Sequence, residues 1–299
     1  MKIIVAHISP DWDAITSVWL IKKYLSGWQD AEVRYVPAGQ RLKNLELKTE
    51  ITDPIEKMGE DEVIHVDTGL GPLDHHQVQD TNVSAASLVW DYVREKLKKA
   101  GDNLTEVHEE AVSRLVKIVV DTDHFKEVFW PDPASDIYEF TLLGLMEGLK
   151  YEKQNQDKYY LDFGITCLNA ILSEFENRIW AEKEINEKGV KFETRFGKGI
   201  GFETLNDTVL KLSQKMGYVI VIRKDPRKGY VRIKTLPDRD DKKGADLTLV
   251  YEQLKKIDTH ATWFLHVSKK MLLNGTPKNP KMIPTKLSLS EIIKVVERI

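Results

Sequence analysis

Residues 2–13 read KIIVAHISPDWD, and this stretch decides the fold. Its apolar run predicts a strand over Lys2–Ala6, which ends directly before His7. Asp11 follows after a short polar turn, and the apolar residues then recur at the spacing of a helix over Asp13–Leu25. A strand, a polar turn and a helix in this order predict the first repeat of an α/β fold.

The chain contains two further apolar runs that end in acidic residues. The strand predicted over Glu62–Asp67 ends in the motif VDTG, and the run Ile118–Val120, read as a strand, leads into DTDHF at Asp121. In an open parallel sheet the carboxyl ends of neighbouring strands share one edge, so these side chains are expected to converge there. Crowded carboxylates repel one another unless divalent cations neutralise them, and the sequence therefore predicts a site with more than one metal ion.

A fourth motif, DHH at Asp74–His76, completes a recognisable order. The succession H-x-x-x-D-x-D, V-D-x-G, D-H-H and D-T-x-x-F resembles the DHH phosphoesterase superfamily, which includes RecJ-type exonucleases, nanoRNases, cyclic-dinucleotide phosphodiesterases and manganese pyrophosphatases. The resemblance covers the part of the chain up to the DTDHF motif. LDHHQ and the later SAASLVW (Ser84–Trp90) are most similar to exonucleases of the melanocyte-proliferating-gene type, whereas DTDHF is more similar to nanoRNases.

The resemblance implies a centre of two metal ions, usually Mn²⁺, with Mg²⁺ or Co²⁺ as alternatives. Mixed imidazole and carboxylate ligands suit Mn²⁺, and the near absence of thiols argues against a zinc site built on thiolates. The implied ligands are His7, Asp11, Asp13, Asp67, His75 and Asp121. Asp67 would bridge the two ions, His76 would donate a hydrogen bond to a phosphoryl oxygen, and Asp74 would hold a histidine or the local loop in place.

Several residues keep a structural alternative. Asp11 or Asp13 could serve only to cap the helix that follows, as aspartates after strands often do. Asp121 and Asp123 compete for one ligand position, and Asp121 is preferred because it follows its predicted strand directly. His65 belongs to no motif, so we expect it to be packed or to support a ligand.

The length and charge of the chain indicate two domains. A chain of 299 residues is longer than the usual single domain. Residues 1–187 are predicted to form a catalytic DHH domain that ends in a helical connector over Asp157–Glu187, and residues 188–299 a smaller α/β domain similar to DHHA1. Up to residue 189 there are 21 Lys and Arg against 35 Asp and Glu, and from residue 190 there are 23 against 12. This uneven distribution of charge would fit an acidic domain that binds cations and a basic domain that binds phosphate. Two solvated surfaces of opposite charge would also produce it.

The remaining elements follow from hydrophobic periodicity. In the first domain we predict a strand over Ala31–Pro37 and helices over Ser84–Lys99, Thr105–Val120 and Ser135–Tyr151. In the second we predict strands over Val190–Phe196, Tyr218–Arg223 and Tyr230–Thr235, and helices over Asp207–Met216, Leu247–Lys255 and Ser288–Arg298.

The second domain supplies candidate phosphate-binding residues. The DHHA1 module of the resembled family binds substrate through basic residues on strands and a glycine-rich segment that contains histidine. In KGYVRIKT, Arg232 and Lys234 alternate with apolar residues, so both are expected on one face of a strand, where an ordinary solvated face is the alternative. The second segment has His266 but lacks the glycine cluster. Trp12, Trp130 and Trp263 are candidates for stacking on bases, with packing in the core as the alternative for Trp12.

These features favour a Mn²⁺-dependent phosphodiesterase or exonuclease that hydrolyses short oligonucleotides or small nucleotides by a two-metal mechanism. The overall acidic balance offers no long basic track for a polymer. A pyrophosphatase-like phosphoanhydride hydrolase and a non-catalytic nucleotide-binding module are the alternatives. The single cysteine, Cys167, the lack of a secretory signal after Met1 and the absence of a long apolar run lead us to expect a cytoplasmic protein without a membrane segment. The sequence does not decide the oligomeric state, and a homodimer stays open.

Overall fold

The structure is a computed structural model that describes residues 1–43, 53–241, 243–276 and 279–298. Its chain divides into two units, Met1–Glu176 and Asn177–Ile299, and the boundary falls inside one long helix. The sequence placed the domain boundary at the end of that helix, and the assignment of the two domains to DHH and DHHA1 types stays a prediction. Each unit has its own sheet and is described by itself.

The first unit is built on a sheet of four strands in the order β2-β1-β4-β3. The strands are β1 (Lys2–His7), β2 (Glu32–Val36), β3 (Glu56–Met58) and β4 (Asp61–His65). Strand β1 lies between β2 and β4 and is parallel to both, whereas β3 adds an antiparallel edge. Because Ile3–Ala6 are buried on both faces of the sheet, the continuous apolar run of β1 marks a central strand. The predicted α/β class with a mainly parallel sheet is confirmed.

Among the described residues, five α-helices belong to this unit or begin in it, and local signals in the sequence mark where α2 starts and ends. They are α1 (Trp12–Tyr24), α2 (Ala85–Ala100), α3 (Glu106–Asp123), α4 (Leu142–Glu152) and α5 (Asp157–Glu187). Ser84 forms a capping box at the start of α2, and Gly101 ends that helix in the left-handed conformation. In the described part of the chain, no helix combines the length and the apolar character needed to cross a bilayer.

Two predictions for the first unit are wrong. The run Ile118–Val120 is not a strand: it belongs to α3, in agreement with the helix predicted over Thr105–Val120, and Val119 and Val120 extend the buried face that contains Leu115 and Val116. The predicted helix over Ser135–Tyr151 begins only at Leu142, and turns occupy the preceding residues. The edge of the sheet therefore carries the ends of β1 and β4, while the third acidic motif lies at the end of a helix.

The second unit contains a sheet of six strands in the order β5-β6-β7-β8-β10-β9. The strands are β5 (Val190–Thr194), β6 (Gly197–Glu203), β7 (Ile220–Lys224), β8 (Val231–Thr235), β9 (Trp263–Leu265) and β10 (Met271–Asn274), and the helices are α6 (Thr208–Lys215), α7 (Thr248–Ile257) and α8 (Leu289–Glu297). Only the β6–β7 pair is parallel among the described strands of this sheet. The sequence did not predict β6, β9 or β10.

Two apolar clusters of different size pack on the two faces of the second sheet. One face packs against α7 and α8 through a cluster that includes Ile222, Ile233 and Leu272. On the other face, the end of α5 and α6 pack on β6 and β7 through a smaller cluster that includes Phe202 and Val221. The outward faces of β8, β10 and β9 carry partly exposed side chains, and this is where the predicted basic residues lie.

Candidate metal centre

His7 ends β1 with its ring turned towards two carboxylates. Nδ1 lies 2.8 Å from the carbonyl oxygen of Ile8, and since that oxygen can only accept, Nδ1 carries the hydrogen. Nε2 then lies 3.2 Å from Asp67 Oδ2 and 3.7 Å from Asp11 Oδ2. Burial opposes a charge on His7, but its interactions with Asp11 and Asp67 outweigh it and raise the pKa to about 10. The site therefore favours a positive charge at Nε2.

Asp11 both caps a helix and faces the site. Its Oδ1 accepts hydrogen bonds from the backbone N–H groups of Asp13 and Ala14, each at 3.0 Å, and this starts α1. Its Oδ2 points to His7 instead. The capping alternative and the ligand prediction are thus compatible, because each uses a different oxygen.

Asp13 is buried and anchors the start of α2. Its oxygens accept hydrogen bonds from Ser84 Oγ at 2.7 Å, from Ala85 N at 2.7 Å and from Ala86 N at 2.8 Å. The first backbone N–H groups of a helix have no acceptor within the helix, and they therefore favour such an anion. Burial and the nearby negative charges raise the pKa of Asp13 well above its usual value. Its Oδ2 also lies 3.6 Å from His75 Nε2, so one edge of the carboxylate faces the cluster.

Asp67 follows β4 in a strained conformation. Its φ angle is 54°, in the left-handed region that residues other than glycine rarely adopt. Such strain is concentrated at functional sites, where the surrounding structure imposes it. While Oδ2 contacts His7, Oδ1 is buried and accepts no hydrogen bond from any described residue. The nearest ring nitrogens to Oδ1 are His75 Nε2 at 3.5 Å and His76 Nδ1 at 3.8 Å.

Asp74 fixes both the loop and the second histidine of the DHH motif. Its Oδ2 accepts from Leu70 N at 2.7 Å, which closes the turn after Asp67. Its Oδ1 accepts from His76 N at 3.1 Å and lies 2.7 Å from His76 Nδ1. Because a carboxylate can only accept, this contact places the hydrogen on Nδ1 and leaves Nε2 of the half-exposed His76 facing outward.

His75 lies among three carboxylates. Its Nε2 is 3.4 Å from Asp123 Oδ2, 3.5 Å from Asp67 Oδ1 and 3.6 Å from Asp13 Oδ2. The close carboxylate of Asp67 raises the pKa of His75 against the effect of burial, and with the charges of Asp123 and Asp13 the value reaches about 9. A position that attracts a proton between three carboxylates is also one that suits a cation.

The structure brings Asp123, and not Asp121, next to His75. Successive residues of a helix turn by about 100°, so two residues that are two apart point in nearly opposite directions. Asp121 Oδ1 pairs with Lys117 Nζ at 2.7 Å and Lys126 Nζ at 2.9 Å, which outweighs burial and lowers its pKa. Asp123 points into the cluster instead. Had the segment been a strand, both side chains would have shared one face.

His124 was overlooked in the sequence. Its Nε2 lies 2.8 Å from the carbonyl oxygen of Val83, so that nitrogen donates. Its ring meets that of His75 edge to face, with centroids 5.8 Å apart. The signal was present in DTDHF, where a histidine directly follows the acidic residue that faces the cluster. His65, by contrast, is buried and accepts a hydrogen bond from Leu42 N at 3.0 Å, which is a structural role.

The donor atoms fit a divalent metal centre. Three overlapping groups each have their ligand atoms within 4.8 Å of one another: His7, Asp11 and Asp67; Asp67, His75 and His76; and His75, Asp123 and His124. Two of the carboxylate oxygens, Asp67 Oδ1 and Asp123 Oδ2, are buried without a hydrogen-bond partner among the described residues. Burial of a carboxylate oxygen without a hydrogen bond is costly, and a bound cation would reduce that cost. Imidazole and carboxylate donors together suit Mn²⁺ and related divalent ions.

In the second unit, the predicted phosphate-binding residues share one face of the sheet. Arg232 and Lys234 alternate with buried residues along β8. Lys234 is the register partner of Met271, and His266 N donates to Met271 O at 2.9 Å, so His266 extends the same row. Arg232 pairs with Asp207, and His266 Nδ1 contacts Ser268 Oγ at 2.8 Å. The fold therefore gathers three predicted residues that the sequence separates.

Comparisons with known proteins give only distant likenesses. No protein-family model matches the chain, and no curated protein matches it. Among solved structures, an uncharacterized protein from Helicobacter pylori is 13% identical, with a TM-score of 0.25 and coverage of 100% of this chain and 98% of its own. The DHH domain of a protein described as a member of a ribosomal protein family is 10% identical, with a TM-score of 0.33 and coverage of 99% and 86%. RecJ in complex with Mg²⁺ from Thermus thermophilus is 11% identical, with a TM-score of 0.28 and coverage of 99% and 49%. At these values the likeness carries no argument about activity.

Proposed function

We propose that this protein is a metal-dependent phosphoesterase of the DHH superfamily, and that with Mn²⁺ it hydrolyses short oligonucleotides or small nucleotides. One observation carries the proposal: ligand-type side chains from four separate segments converge and leave Asp67 Oδ1 and Asp123 Oδ2 buried without a hydrogen bond from any described residue, with His75 Nε2 near both. A purely structural cluster would be expected to pair these oxygens. The sequence motifs that fill the cluster are those of the resembled superfamily.

The proposed ligands are His7, Asp11, Asp13, Asp67, His75 and, in place of Asp121, Asp123. Two divalent ions held there would supply an activated water and stabilise the attacking and leaving oxygens of a displacement at phosphorus. The protein prepares the ligands for this role. The hydrogen on His7 Nδ1 leaves Nε2 free to coordinate, and the anchoring of Asp13 on α2 fixes the direction of its Oδ2.

His76 is proposed to contact the substrate itself. Asp74 holds one hydrogen of His76 on Nδ1. Donation to a phosphoryl oxygen requires a second hydrogen, on Nε2, because the neutral ring with its hydrogen on Nδ1 offers Nε2 only as an acceptor. Because His76 is half exposed, its outer nitrogen is open to a ligand.

The basic row of the second unit is proposed to hold substrate phosphates remote from the reacting phosphorus. Arg232 and Lys234 contribute two cations on one partly exposed sheet face, and His266 lies in the same row. Three such residues can bind a few phosphates but do not form a track for a long polymer. The proposal therefore favours short oligonucleotides and small nucleotides.

A product-resolved assay tests the function. The purified chain with Mn²⁺ is offered pyrophosphate, dinucleotides, cyclic dinucleotides, and RNA and DNA of five nucleotides. We expect mononucleotides from the short nucleotide substrates and no phosphate from pyrophosphate. Hydrolysis of pyrophosphate alone would establish the phosphoanhydride alternative, and nucleotide binding without turnover of any substrate would establish the non-catalytic one.

A matched pair of variants links that activity to the cluster. Asp67→Asn should abolish turnover and lose at least one Mn²⁺, because an amide cannot supply the negative charge that the second ion requires. Asp61→Asn makes the same change at the opposite end of β4, where the side chain contacts the N-terminal amine, and should leave both properties unchanged. Two tightly bound ions and normal turnover in Asp67→Asn would remove the assignment.

A further inference from the structure

The first unit contains an apolar cavity of about 210 Å³ that is open to solvent. Its walls come from the start of α1, the second half of α3, the segment before and into α4, and the middle of α5. The side chains that define it include Trp12, Leu115, Ile118, Trp130, Leu143 and Phe175. Concave, mostly apolar pockets are where small ligands usually bind.

The indole of Trp12 in the cavity wall has a polar group that no described residue uses. The indole Nε1–H of Trp12 is buried and has no hydrogen-bond partner among the described residues. Two threonines in the walls are already engaged: Thr122 Oγ1 donates to helix carbonyls of α3, and Thr141 Oγ1 donates to Tyr138 O at 2.6 Å. Trp12 therefore offers a single hydrogen-bond donor in apolar surroundings, which suits a ligand that carries an acceptor.

The cavity and the cluster are built from the same short segments. Trp12 lies between Asp11 and Asp13 in the chain, and Thr122 directly precedes Asp123. Consecutive Cα atoms are only about 3.8 Å apart, so the same two stretches of backbone carry both the cavity wall and the ligand carboxylates. This shared backbone is the observation that links the cavity to the cluster.

We propose that this cavity receives a heteroaromatic ring, a nucleobase, of the substrate whose phosphoryl group binds at the cluster; the inference rests on the proposed function and names its substrate more closely. The volume supports a ring system, since a cavity of about 150 Å³ accepts a benzene molecule. The indole of Trp130 in the cavity wall can provide a surface on which a base stacks. A ring nitrogen or carbonyl of the base would accept from Trp12 Nε1–H, whereas an alkyl chain would leave that donor unpaired.

Binding of adenosine to the metal-free full-length chain, with ribose as the comparison, tests the cavity without any need for turnover. Ile118→Trp fills the mouth from a half-exposed position of α3, and Val107→Trp makes a matched change on the same helix away from the cavity. We expect adenosine to bind measurably and ribose not to. Ile118→Trp should weaken adenosine binding by roughly 5-fold to 150-fold, as expected for one stacked base, and Val107→Trp should not change it. Trp12→Phe, which keeps a ring but removes the donor, should weaken it as well.

Turnover separates failure of the cavity from failure of the proposed function. We expect Ile118→Trp to lower kcat/KM for a dinucleotide while kcat/KM for its abasic analogue stays unchanged. Adenosine binding that depends on Ile118, in a protein that hydrolyses no phosphoester, would support the cavity and reject the function. Equal kcat/KM for dinucleotide and abasic analogue, with adenosine binding absent or insensitive to Ile118→Trp, would reject the cavity. Tighter binding of 1-hexanol than of adenosine would also overturn the assignment, because it would identify an alkyl site.

Discussion

Replacing Asp123 by asparagine should have opposite effects on stability with and without metal. Without metal, the carboxylate is buried near other acids, and burial with the charges of Asp11 and Asp67 raises its pKa, so its charge is unfavourable there. Asp123 is also the last residue of α3, which has no basic residue in its last turn. A negative charge at a helix C-terminus interacts unfavourably with the helix dipole. The neutral amide of similar size removes both penalties.

The size of the gain follows from these two effects. Relief of the helix dipole contributes about 0.3 to 1 kcal/mol. Relief of repulsion adds a comparable amount, since the attraction of His75 at 3.4 Å offsets part of it. We therefore expect the metal-free variant to be more stable by about 1 to 2 kcal/mol, which raises Tm by roughly 2 to 8 °C for a unit of this size.

With Mn²⁺ the order should reverse. A ligand present at about 100 times its Kd stabilises the folded state by about 2.7 kcal/mol, and a 100-fold loss of affinity would leave only about 0.4 kcal/mol of that at the same concentration. Loss of the Asp123 carboxylate should thus reduce the stabilisation by Mn²⁺ by about 2 kcal/mol. Turnover should fall with metal occupancy.

Thermal unfolding in EDTA and in Mn²⁺ measures both effects, and Asp121→Asn is the matched control two residues earlier on the same helix. Asp121 pairs with two lysines on a partly exposed surface, so its loss should cost at most about 1 kcal/mol under either condition. Turnover of Asp121→Asn should equal that of the unmodified chain. The assignment of Asp123 as a ligand would be refuted if Asp121→Asn were more stable than the unmodified chain in EDTA and less stable in Mn²⁺, while Asp123→Asn showed no such reversal.

Three further predictions concern the surroundings of the site. Asp74→Asn should lower kcat by roughly 10-fold to 100-fold without loss of Mn²⁺, and in the double variant with His76→Ala it should add little, because Asp74 acts through His76. Arg232→Ala and Lys234→Ala should raise KM more than they lower kcat, and unchanged kinetics in both would remove the substrate role of this strand. Burial and the charge of Arg41 lower the pKa of His65 to about 4, below its usual 6.5. Because the unfolded chain then binds the proton first, stability should fall by up to about 3 kcal/mol as the pH drops from 6.5 to 4, and urea unfolding of His65→Gln should show a shallower pH dependence.

The fold was predictable where one local signal dominated. The apolar run of β1, the capping serine of α2 and the long periodic stretch of α5 each gave the right element. Two of the strands that were missed, β3 and β6, lack such a signal. β3 reads EKM and has no apolar run, and β6 contains three glycines, which weaken strand propensity although its pairing with β7 buries it.

The sequence motifs predicted which segments contribute to the site, but not which aspartate of DTDHF faces it. Residue types and order indicated His7, Asp67 and His75 as neighbours, and the structure brings them together. The choice between Asp121 and Asp123 depended on whether the segment is a strand or a helix. Short apolar runs do not decide this by periodicity alone, since β-branched residues such as Val119 also fill a buried helix.

The carboxylates of the cluster differ in what else they do for the fold. Asp11 uses Oδ1 to start α1, and Asp13 uses both oxygens to hold the start of α2, so each would be retained for structure alone. Asp67 Oδ1 and Asp123 Oδ2 have no such use among the described residues, and the backbone strain of Asp67 adds a further cost. His75 Nε2 lies 3.5 Å and 3.4 Å from these oxygens, but neither forms a hydrogen bond, and burial of a polar atom without one is costly unless a ligand compensates it. The signal for a metal site therefore lies in these two oxygens without hydrogen bonds more than in the number of acidic residues around them.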